Sequence, residues 1–304
     1  MPLAIGPEGL EGLRADVGAA RLFGLARSVV EQAAEQGGLR LDGREVRKSV
    51  RLATGMMLEV DVPEQRVAQV RPRLVEGMRV VYDDADLVVV DKPAGIAAHP
   101  SLGWEGGSVV EHLVAAGFEP CPVGPPERPG IVSRLDVGTS GLMVVARSEL
   151  AFVGLKRAFT NHEVDKVYHA LVQGYPDPMS GTIDAPIGHA RTDEWKMAVD
   201  ATGRPAVTHY GVIEAVVRAT LLRVLLETGR THQIRVHMAA IHHPCVGDLL
   251  YGADPRLAEE LGLRRQWLHA VQLGFEHPRS GEPMVFTSQY PADLAASLDA
   301  LRID

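Results

Sequence analysis

Two charged side chains occupy a short polar turn in the segment PGIVSRLDVGTSGLMVVAR, residues 129–147. Arg134 precedes Asp136 by two positions. In an extended chain, residues i and i+2 share a face, so the guanidinium could lie near the carboxylate and keep it ionised. An ionised, positioned carboxylate can act as a nucleophile or as a base. The alternative is an Asp that only hydrogen-bonds the backbone of its own turn.

A second candidate is the segment GRTHQIR, residues 229–235. Its pattern predicts a helix with Thr231 as the N-cap, which continues to about Ile241 before the sequence HHP stops it. The N-terminal end of a helix carries partial positive charge, and Arg230 and Arg235 add two guanidinium groups. The segment therefore predicts an anion-binding site.

The elements that must position these residues are mostly strands. Apolar or alternating runs predict strands at 131–132 and 142–146 around the Asp136 turn, and further strands at 80–82, 87–90, 164–173, 182–187, 196–200, 206–215 and 220–227. Residues 201–203 are predicted to form a hairpin tip, and helices are expected at 108–116, around 152–159 and at 290–301. Strands joined mostly by short turns favour an α+β fold with a mixed, largely antiparallel sheet.

A small α+β domain is predicted at residues 13–62. Its helix would place Leu22, Leu25, Val29 and Ala33 on one face and would end at Gly37-Gly38. Strands at 39–41 and 45–46 flank the tight turn Asp42-Gly43, and another strand spans 56–62. Residues 63–78 contain two prolines and mixed charges, which is typical of a linker, and a larger domain at 79–304 follows.

The distribution of charge is more informative than its total. The chain has a net charge of -8, yet residues 40–51 carry five basic and two acidic side chains. A local positive excess in an acidic chain favours contact with the phosphates of a nucleic acid. The candidate contacts are Arg40, Arg44, Arg47 and Lys48.

Several other classes of site are not expected. Cys121 and Cys245 lie in no CxxC motif and no Cys/His cluster, so neither a disulfide framework nor a structural zinc is predicted. Walker, GxGxxG, HExxH and GxSxG signatures are absent from the sequence. No apolar run approaches the roughly 18 residues of a membrane span, and residues 1–12 lack a signal-peptide pattern, so a cytoplasmic protein with no membrane partner is expected.

Five blocks in fixed order resemble the RluA/RluD-type family of RNA pseudouridine synthases. They are VDKPAGIAAHPS, GIVSRLDVGTSGLMVVARS, DKVYHALVQG, ETGRTHQIRVHMAAIHHPCVGDLLYG and QWLHAVQLGFEHPRSGE. The N-terminal region, with the pair Arg27-Ser28 and the block LRLDGREV, resembles a ribosomal protein S-four-like RNA-binding domain, although Ala26 stands where that domain often has Ser. The resemblance implies the pseudouridine synthase fold for residues 79–304.

The resemblance also implies a reaction and its residues. The family detaches a uracil from its ribose nitrogen bond, turns the base and reattaches it through carbon 5, with no metal and no cofactor. By resemblance, Asp136 is the nucleophile, Tyr168 stacks on the target base and helps proton transfer, and Arg235 is the ion-pair partner of Asp136. Arg134 would fill the place that the extruded base leaves in the RNA helix.

Chemistry of this kind independently needs a cation to hold the attacking carboxylate ionised, whether it attacks an anomeric or a ring carbon. It also needs a flat surface for an extruded base. Further substrate contacts are expected from Lys92 and Arg27, which lie in the matching blocks, and from Arg230. Ser133 departs from the family, which usually has His before Arg-Leu-Asp.

The predicted substrate is a structured RNA, in the first place large-subunit ribosomal RNA, with transfer RNA as an alternative. The protein is expected to act as a monomer. Two other functions remain open at this point: an RNA-binding or assembly factor without catalysis, and a hydrolase that uses Ser140 with a distant His.

Overall fold

The computed structural model describes residues 3–5, 9–62, 68–190 and 193–302. The chain divides into two compact units, residues 1–66 and residues 67–304. In the described residues, no helix combines the length and apolar character that crossing a membrane requires.

The N-terminal unit combines two helices with a four-stranded antiparallel sheet of order β1-β4-β2-β3. The predicted hairpin is confirmed, since Asp42 and Gly43 take the positive φ angles of 49° and 75° that a tight two-residue turn requires. The elements are β1 (Leu3–Ile5), α1 (Ala15–Phe23), α2 (Arg27–Glu35), β2 (Leu39–Leu41), β3 (Arg44–Glu45) and β4 (Met57–Val60).

The single helix predicted through Leu22 and Ala33 is wrong, because the chain forms two helices there. Gly24 adopts a left-handed φ of 65° and its N–H caps α1 on the carbonyl of Ala20, and α2 starts at Arg27. Leu22 and Leu25 still pack against the core of this unit. The apolar spacing therefore indicated the buried face but not the break.

Arg27, whose side chain is 55% exposed, takes part in a structural ion pair. Its Nε donates to the fully buried carboxylate of Asp16 at 3.1 Å, and Arg14 donates to the same carboxylate at 3.0 Å. Burial raises the pKa of Asp16, but the hydrogen bonds from both arginines outweigh burial and lower it. The side chain of Ser28, the other member of the predicted Arg-Ser pair, lies outside the described residues.

The basic cluster is partly neutralised by its neighbours. Arg40 lies opposite Glu45 on one neighbouring strand and opposite Glu59 on the other. Lys48 pairs with Glu35 at 3.4 Å. The positive excess therefore rests on the remaining two candidates, which are both exposed: Arg44 and Arg47.

The second unit is α+β, as predicted, and its nine-stranded sheet has the order β5-β6-β7-β14-β8-β13-β12-β9 with β15 on β14. Only the β7–β14 pair is parallel, so the sheet is mixed and largely antiparallel. The strands are β5 (Arg79–Asp83), β6 (Leu87–Lys92), β7 (Ser140–Ala146), β8 (Asp165–Gln173), β9 (Ser180–Asp184), β10 (Ile187–Ala190), β11 (Asp193–Val199), β12 (Val207–Val216), β13 (Ala219–Leu226), β14 (Leu268–Glu276) and β15 (Pro283–Thr287). The helices are α3 (Val109–Ala115), α4 (Glu149–Thr160), α5 (Gln233–Ala240), α6 (Pro255–Glu260) and α7 (Ala292–Asp299), with a short 3-10 helix at Leu249–Tyr251.

Two local predictions are wrong. Ile131 makes only an isolated bridge to Val145, so residues 131–132 do not form a strand. Residues 201–203 do form a turn, but not a hairpin tip, because β11 pairs with β10 whereas β12 pairs with β9 and β13. Sequence patterns define apolar runs, but the partner of each run is set by contacts distant along the chain.

Residues 68–78, for which the sequence predicts a linker, pack along the second unit. Val70 and Met78 contact the core cluster that contains Val88. The backbone N–H of Arg73 donates to the carbonyl of Glu111 at 3.1 Å.

The strands β6 and β7 form the buried centre of this unit and hold the Asp136 turn. Every residue of both strands is buried, and alternate side chains face opposite sides. One side packs against Leu155 of α4, and the other packs against Leu113 of α3. Since β7 begins at Ser140, this doubly covered strand fixes the end of the turn that carries Asp136.

Replacing Gly141 by Ala should destabilise the second unit. Gly141 has a φ of 114°, and an added Cβ would lie 2.3 Å from the carbonyl oxygen of Ala270 on β14. The expected loss is more than about 1 kcal/mol in the free energy of unfolding. Gly211→Ala in the same sheet is the matched control, because the nearest atom to its added Cβ is 3.9 Å away.

The measurement is urea unfolding followed by tryptophan fluorescence. Since the three tryptophans, Trp104, Trp195 and Trp267, all belong to residues 67–304, the signal reports on this unit. Equal unfolding midpoints for the two glycine variants would contradict the prediction.

Candidate active site

Asp136 lies in a loop, residues 133–139, that two backbone hydrogen bonds hold in place. The N–H of Thr139 donates to the carbonyl of Asp136 at 3.0 Å, which closes a turn before β7. The carbonyl of Val137 accepts from the N–H of Gly95 at 2.8 Å, which fixes the loop to the segment after β6. The side chain of Asp136 is 22% exposed, so the carboxylate is held but reachable.

The cation beside Asp136 is Arg235 of α5. Nη1 of Arg235 lies 3.3 Å from Oδ2 of Asp136, while Nε and Nη2 bind both oxygens of Asp248 at 2.7 and 2.9 Å. The side chains of Arg235 and Asp248 are 8% and 2% exposed. Burial tends to lower the pKa of Arg235, but the hydrogen bonds and charge of Asp248, with the charge of Asp136, raise it. Among the described residues, Oδ1 of Asp136 accepts no hydrogen bond, so this oxygen is available to a substrate.

The predicted Arg134–Asp136 ion pair is wrong. Nη2 of Arg134 donates to the hydroxyl of Thr231 at 3.4 Å instead. The rule that i and i+2 share a face applies to strands, and residues 134–136 lie in the loop before β7. Arg134 is exposed and lines the cleft described below.

The start of α5 also differs from the prediction. Its N-cap is His232, with a left-handed φ of 57° and no side-chain cap, rather than Thr231. His232 Nδ1 lies 2.8 Å from the hydroxyl of Tyr251, whose ring lies 4.9 Å from the Arg235 guanidinium. Because Arg235 is occupied by two carboxylates, it does not contribute to the anion site predicted here, and only Arg230 keeps that role.

Tyr168 on β8 lines the same cleft as Asp136. It is half-buried, and its hydroxyl has no hydrogen-bond partner among the described residues. Burial and then the charge of Asp136 raise the pKa of Tyr168, so the phenol stays protonated near neutral pH. The ring offers a stacking surface, and the hydroxyl can donate a hydrogen bond to a ligand.

The cleft has a volume of about 960 Å³ and is strongly positive. Among the described residues, Asp136 is the one acidic side chain in its lining. Of its basic side chains, only Arg128 has an ion-pair partner among the described residues, Glu127 at 3.7 Å. The cleft is therefore a site for an anionic ligand in a chain of net charge -8. Its Lys and Arg side chains are Arg128, Arg134, Lys156, Lys166, Arg204 and Arg230.

The chain is similar to known proteins over most of its length. A family model described as RNA pseudouridylate synthase matches residues 86–240. An uncharacterised RNA pseudouridine synthase of Mycobacterium bovis is 57% identical over 297 residues, which cover 97% of this chain and 96% of the relative. The chain belongs to the RNA pseudouridine synthase family.

Other relatives and solved structures agree. The ribosomal large subunit pseudouridine synthase D of Xanthomonas campestris is 40% identical over 311 residues, covering 99% of this chain and 92% of the relative. The protein of the same name in Zymomonas mobilis is 40% identical over 252 residues, which cover 80% of this chain and 78% of the relative. The human RNA pseudouridylate synthase domain containing 1 matches with a TM-score of 0.59 at 28% identity, over 75% of this chain and 90% of that one. The RluA/RluD-type resemblance and the fold class are confirmed, and the chain is an isomerase that acts on RNA.

Lys92, predicted to bind substrate, does not line the cleft of the synthase. Its side chain is fully buried, and Nζ donates to the carbonyls of Pro93, Ile96 and Val137 at 3.0, 2.8 and 3.3 Å. Burial lowers its pKa to about 7, although the charge of Asp136 opposes that shift. Lys92 therefore supports the Asp136 loop from the interior of the unit. Nothing in the sequence indicates this role, because only a short apolar run precedes the DKP motif.

Four cleft cations were not identified from the sequence: Arg128, Lys156, Lys166 and Arg204. A signal was present for one of them, since Lys166 and Tyr168 share a face of the predicted strand. Ser133, which replaces the usual His, also lines the cleft.

The hydrolase alternative does not survive the structure. Ser140 Oγ does lie 2.8 Å from Nδ1 of His269, but both side chains are fully buried. Burial lowers the pKa of His269 to about 4. No substrate carbonyl can reach this pair, which instead anchors β7 to β14.

One group of possible metal ligands lies outside the cleft: Asp84, Asp86 and His277. Its ligand atoms are occupied by the protein. Arg279 binds Asp86 at 2.5 and 2.7 Å, and His277 lies 3.0 Å from Asp84. The group ties the β5–β6 turn to the β14–β15 turn.

Replacing Lys92 by Met should destabilise the synthase by about 1–3 kcal/mol, because three buried carbonyls lose their donor. The variant should also change the pH dependence. Between pH values of about 7 and 10.5, the unfolded chain binds a proton at Lys92 that the folded chain releases, so the free energy of unfolding of the wild type rises with pH. Urea midpoints across this range should rise less in Lys92→Met, and parallel curves would contradict the burial of a titrating lysine.

Proposed function

We propose that the synthase converts specific uridines of large-subunit ribosomal RNA to pseudouridine, with Asp136 as the nucleophile. The RNA target is supported by 40% identity to relatives named ribosomal large subunit pseudouridine synthase D. The role of Asp136 rests on one observation: it is the acidic side chain of a positive cleft, 3.3 Å from the buried Arg235. A ribosomal substrate implies a cytoplasmic enzyme.

The proposed reaction conserves all atoms of the substrate. The Asp136 carboxylate attacks a carbon of the target nucleotide, either ribose C1′ or a ring carbon of the base. The C1′–N1 bond breaks and its electron pair leaves with N1 of the uracil. After the base turns, a C1′–C5 bond forms and the carboxylate is released. The proton lost from C5 is balanced by the proton gained at N1.

Arg235 orients the nucleophile and stabilises its charge. Its Nη1 is turned toward Oδ2 of Asp136, because Nε and Nη2 are bound to Asp248. This leaves Oδ1 free to attack. A buried cation in a fixed position stabilises a neighbouring carboxylate more than a solvent-exposed cation does.

Tyr168 receives the extruded base. A uracil that has left the RNA stack needs an aromatic surface, and Tyr168 supplies one in the cleft that holds Asp136. With its pKa raised, the phenol acts as a proton donor or relay rather than as a free phenolate. Arg134, exposed at the cleft, is proposed to occupy the place of the base in the RNA.

The N-terminal unit is proposed to be an S-four-like RNA-binding domain. The hairpin and the strand β4 support this proposal in layout, although two helices stand where one was expected. Arg44 and Arg47 are the exposed cations that would contact phosphates, with a smaller contribution from Arg40 and Lys48 because acidic residues lie beside them. Arg27 would stabilise the domain through Asp16.

Asp136→Asn should abolish catalysis and preserve binding. The amide keeps the shape of the side chain but is too weak a nucleophile to attack carbon. Pseudouridine formed in unmodified large-subunit ribosomal RNA should fall by on the order of 10³-fold or more. RNA affinity should stay near that of the wild type, because the phosphate contacts come from Lys and Arg side chains.

Asp165→Asn is the matched control, since Asp165 is exposed on β8 and outside the cleft lining. It makes the same change in charge and should retain full activity. Conversion by Asp136→Asn at a rate near that of the control would refute the proposed nucleophile. If the wild type modified transfer RNA but not ribosomal RNA, the substrate would be transfer RNA and the proposed target would be wrong.

Tyr168→Phe and Tyr168→Ala should separate stacking from proton transfer. The Phe variant keeps the ring and should bind RNA as the wild type does, whereas Ala should lose about 1–3 kcal/mol of base contact. Because Tyr168 lines the cleft and its hydroxyl has no hydrogen-bond partner among the described residues, we expect the Phe variant to lose single-turnover rate. A wild-type rate in Tyr168→Phe would restrict this residue to stacking.

A further inference from the structure

Two arginine side chains of the cleft lie on neighbouring segments of the chain. Arg204 and Arg230 both line it, and Nε of Arg230 donates to the carbonyl of Pro205, directly after Arg204, at 2.9 Å. Neither arginine has an ion-pair partner among the described residues. Burial and then the charge of Arg204 lower the pKa of Arg230. Two close like charges destabilise each other unless an anion binds between them.

The two segments that carry these arginines are fastened together by buried hydrogen bonds. Gln233, 3% exposed, accepts from the N–H of Arg230 at 3.0 Å and donates to the carbonyl of Val207 at 2.9 Å. The hydroxyl of Thr228 accepts from the N–H of Val207 at 3.0 Å and donates to Gln233 at 2.7 Å. The spacing between the two segments is therefore set before any ligand arrives.

The backbone of Arg204 is fixed as well. Its N–H donates to the carbonyl of Ile187, and its carbonyl accepts from the N–H of Ile187, both at 2.9 Å. The Arg204 side chain itself is exposed and makes no polar contact with the described residues, so it is available to a ligand. With Nε of Arg230 bound to Pro205, the two Nη groups of Arg230 remain for the same ligand.

The other cations of the cleft are engaged differently. The ammonium groups of Lys156 and Lys166 lie over the rings of Phe152 and Phe159, at 6.0 and 5.8 Å. Arg134 donates to Thr231. Among the described residues that line the cleft, Arg204 and Arg230 are the two arginines whose side chains contact no other side chain.

We propose that Arg204 and Arg230 form a preformed site for one backbone phosphate of the RNA strand that enters the cleft. Guanidinium groups match the oxygens of a phosphate in planar, paired hydrogen bonds, which a single ammonium cannot do. The site would fix the strand so that the neighbouring nucleotide reaches Tyr168 and Asp136. The proposal rests on the assignment of this cleft as the RNA site.

The test is the salt dependence of binding of a short oligouridylate, which needs no turnover. For single strands, each phosphate contact contributes about 0.7 to the slope of log affinity against log salt. The double variant should lower the slope by about 0.7, because both arginines bind one phosphate, and Arg204→Gln and Arg230→Gln should each lower it by part of that amount. Arg230→Lys, which keeps the charge, should retain most of the slope.

Arg256→Gln is the control for a change in net charge, because Arg256 is exposed on α6 and outside the cleft lining. Its slope should equal that of the wild type. An unchanged slope in the double variant would overturn the site, and a decrease of about 1.4 would overturn the shared phosphate. If Arg256→Gln lowered the slope as much as the double variant, the effect would come from net charge alone and the site would be overturned.

The test does not depend on Arg230→Gln remaining folded. If thermal melting shows that this variant unfolds, the salt slope of Arg204→Gln decides, because the Arg204 side chain is exposed. Because binding is measured without chemistry, an active Asp136→Asn would refute the nucleophile and leave the slopes to decide the phosphate site.

Discussion

The structure of the active site depends on one buried cation shared by two carboxylates. Arg235 joins Asp136 on the loop before β7 to Asp248 on the segment after α5. Removing one partner from such a group leaves an uncompensated buried charge, which typically costs several kcal/mol. The same contact therefore holds two distant parts of the chain together and fixes the reactive carboxylate. The sheet, the buried β6 and β7 strands and Lys92 beneath the loop all serve to keep this geometry.

Charge distribution explains how an acidic protein binds a polyanion. The net charge of -8 is spread over the surface, whereas the cleft gathers six Lys and Arg side chains around one Asp. A cleft of one sign focuses the electrostatic field and raises the local concentration of an oppositely charged ligand. Acidity elsewhere limits unspecific association, so the cleft and the exposed cations of the N-terminal unit are where RNA is expected to bind.

The sequence predicted the fold class and the ion pair of Asp136 with Arg235, but not most of the other contacts between distant segments. Asp136 and Arg235 were identified because their motifs carry family information, and the strands because apolar runs report burial. Arg134 was paired wrongly because a rule for strands was applied to residues that lie in a loop. Lys92 was predicted to contact the substrate, since no sequence pattern distinguishes a lysine that donates to three buried carbonyls. Arg204 was missed because its neighbour Arg230 lies on a segment distant in sequence. Hydrogen bonds of Gln233 hold the two segments together.

The most direct test of the central interaction is a double-mutant cycle on the single-turnover rate at saturating enzyme. Asp136→Asn and Arg235→Gln would be measured alone and together on unmodified ribosomal RNA. If Arg235 acts by holding the Asp136 carboxylate, each single variant loses the reaction and the second substitution adds no further loss. A wild-type rate in Arg235→Gln, or losses that multiply in the double variant, would contradict the account.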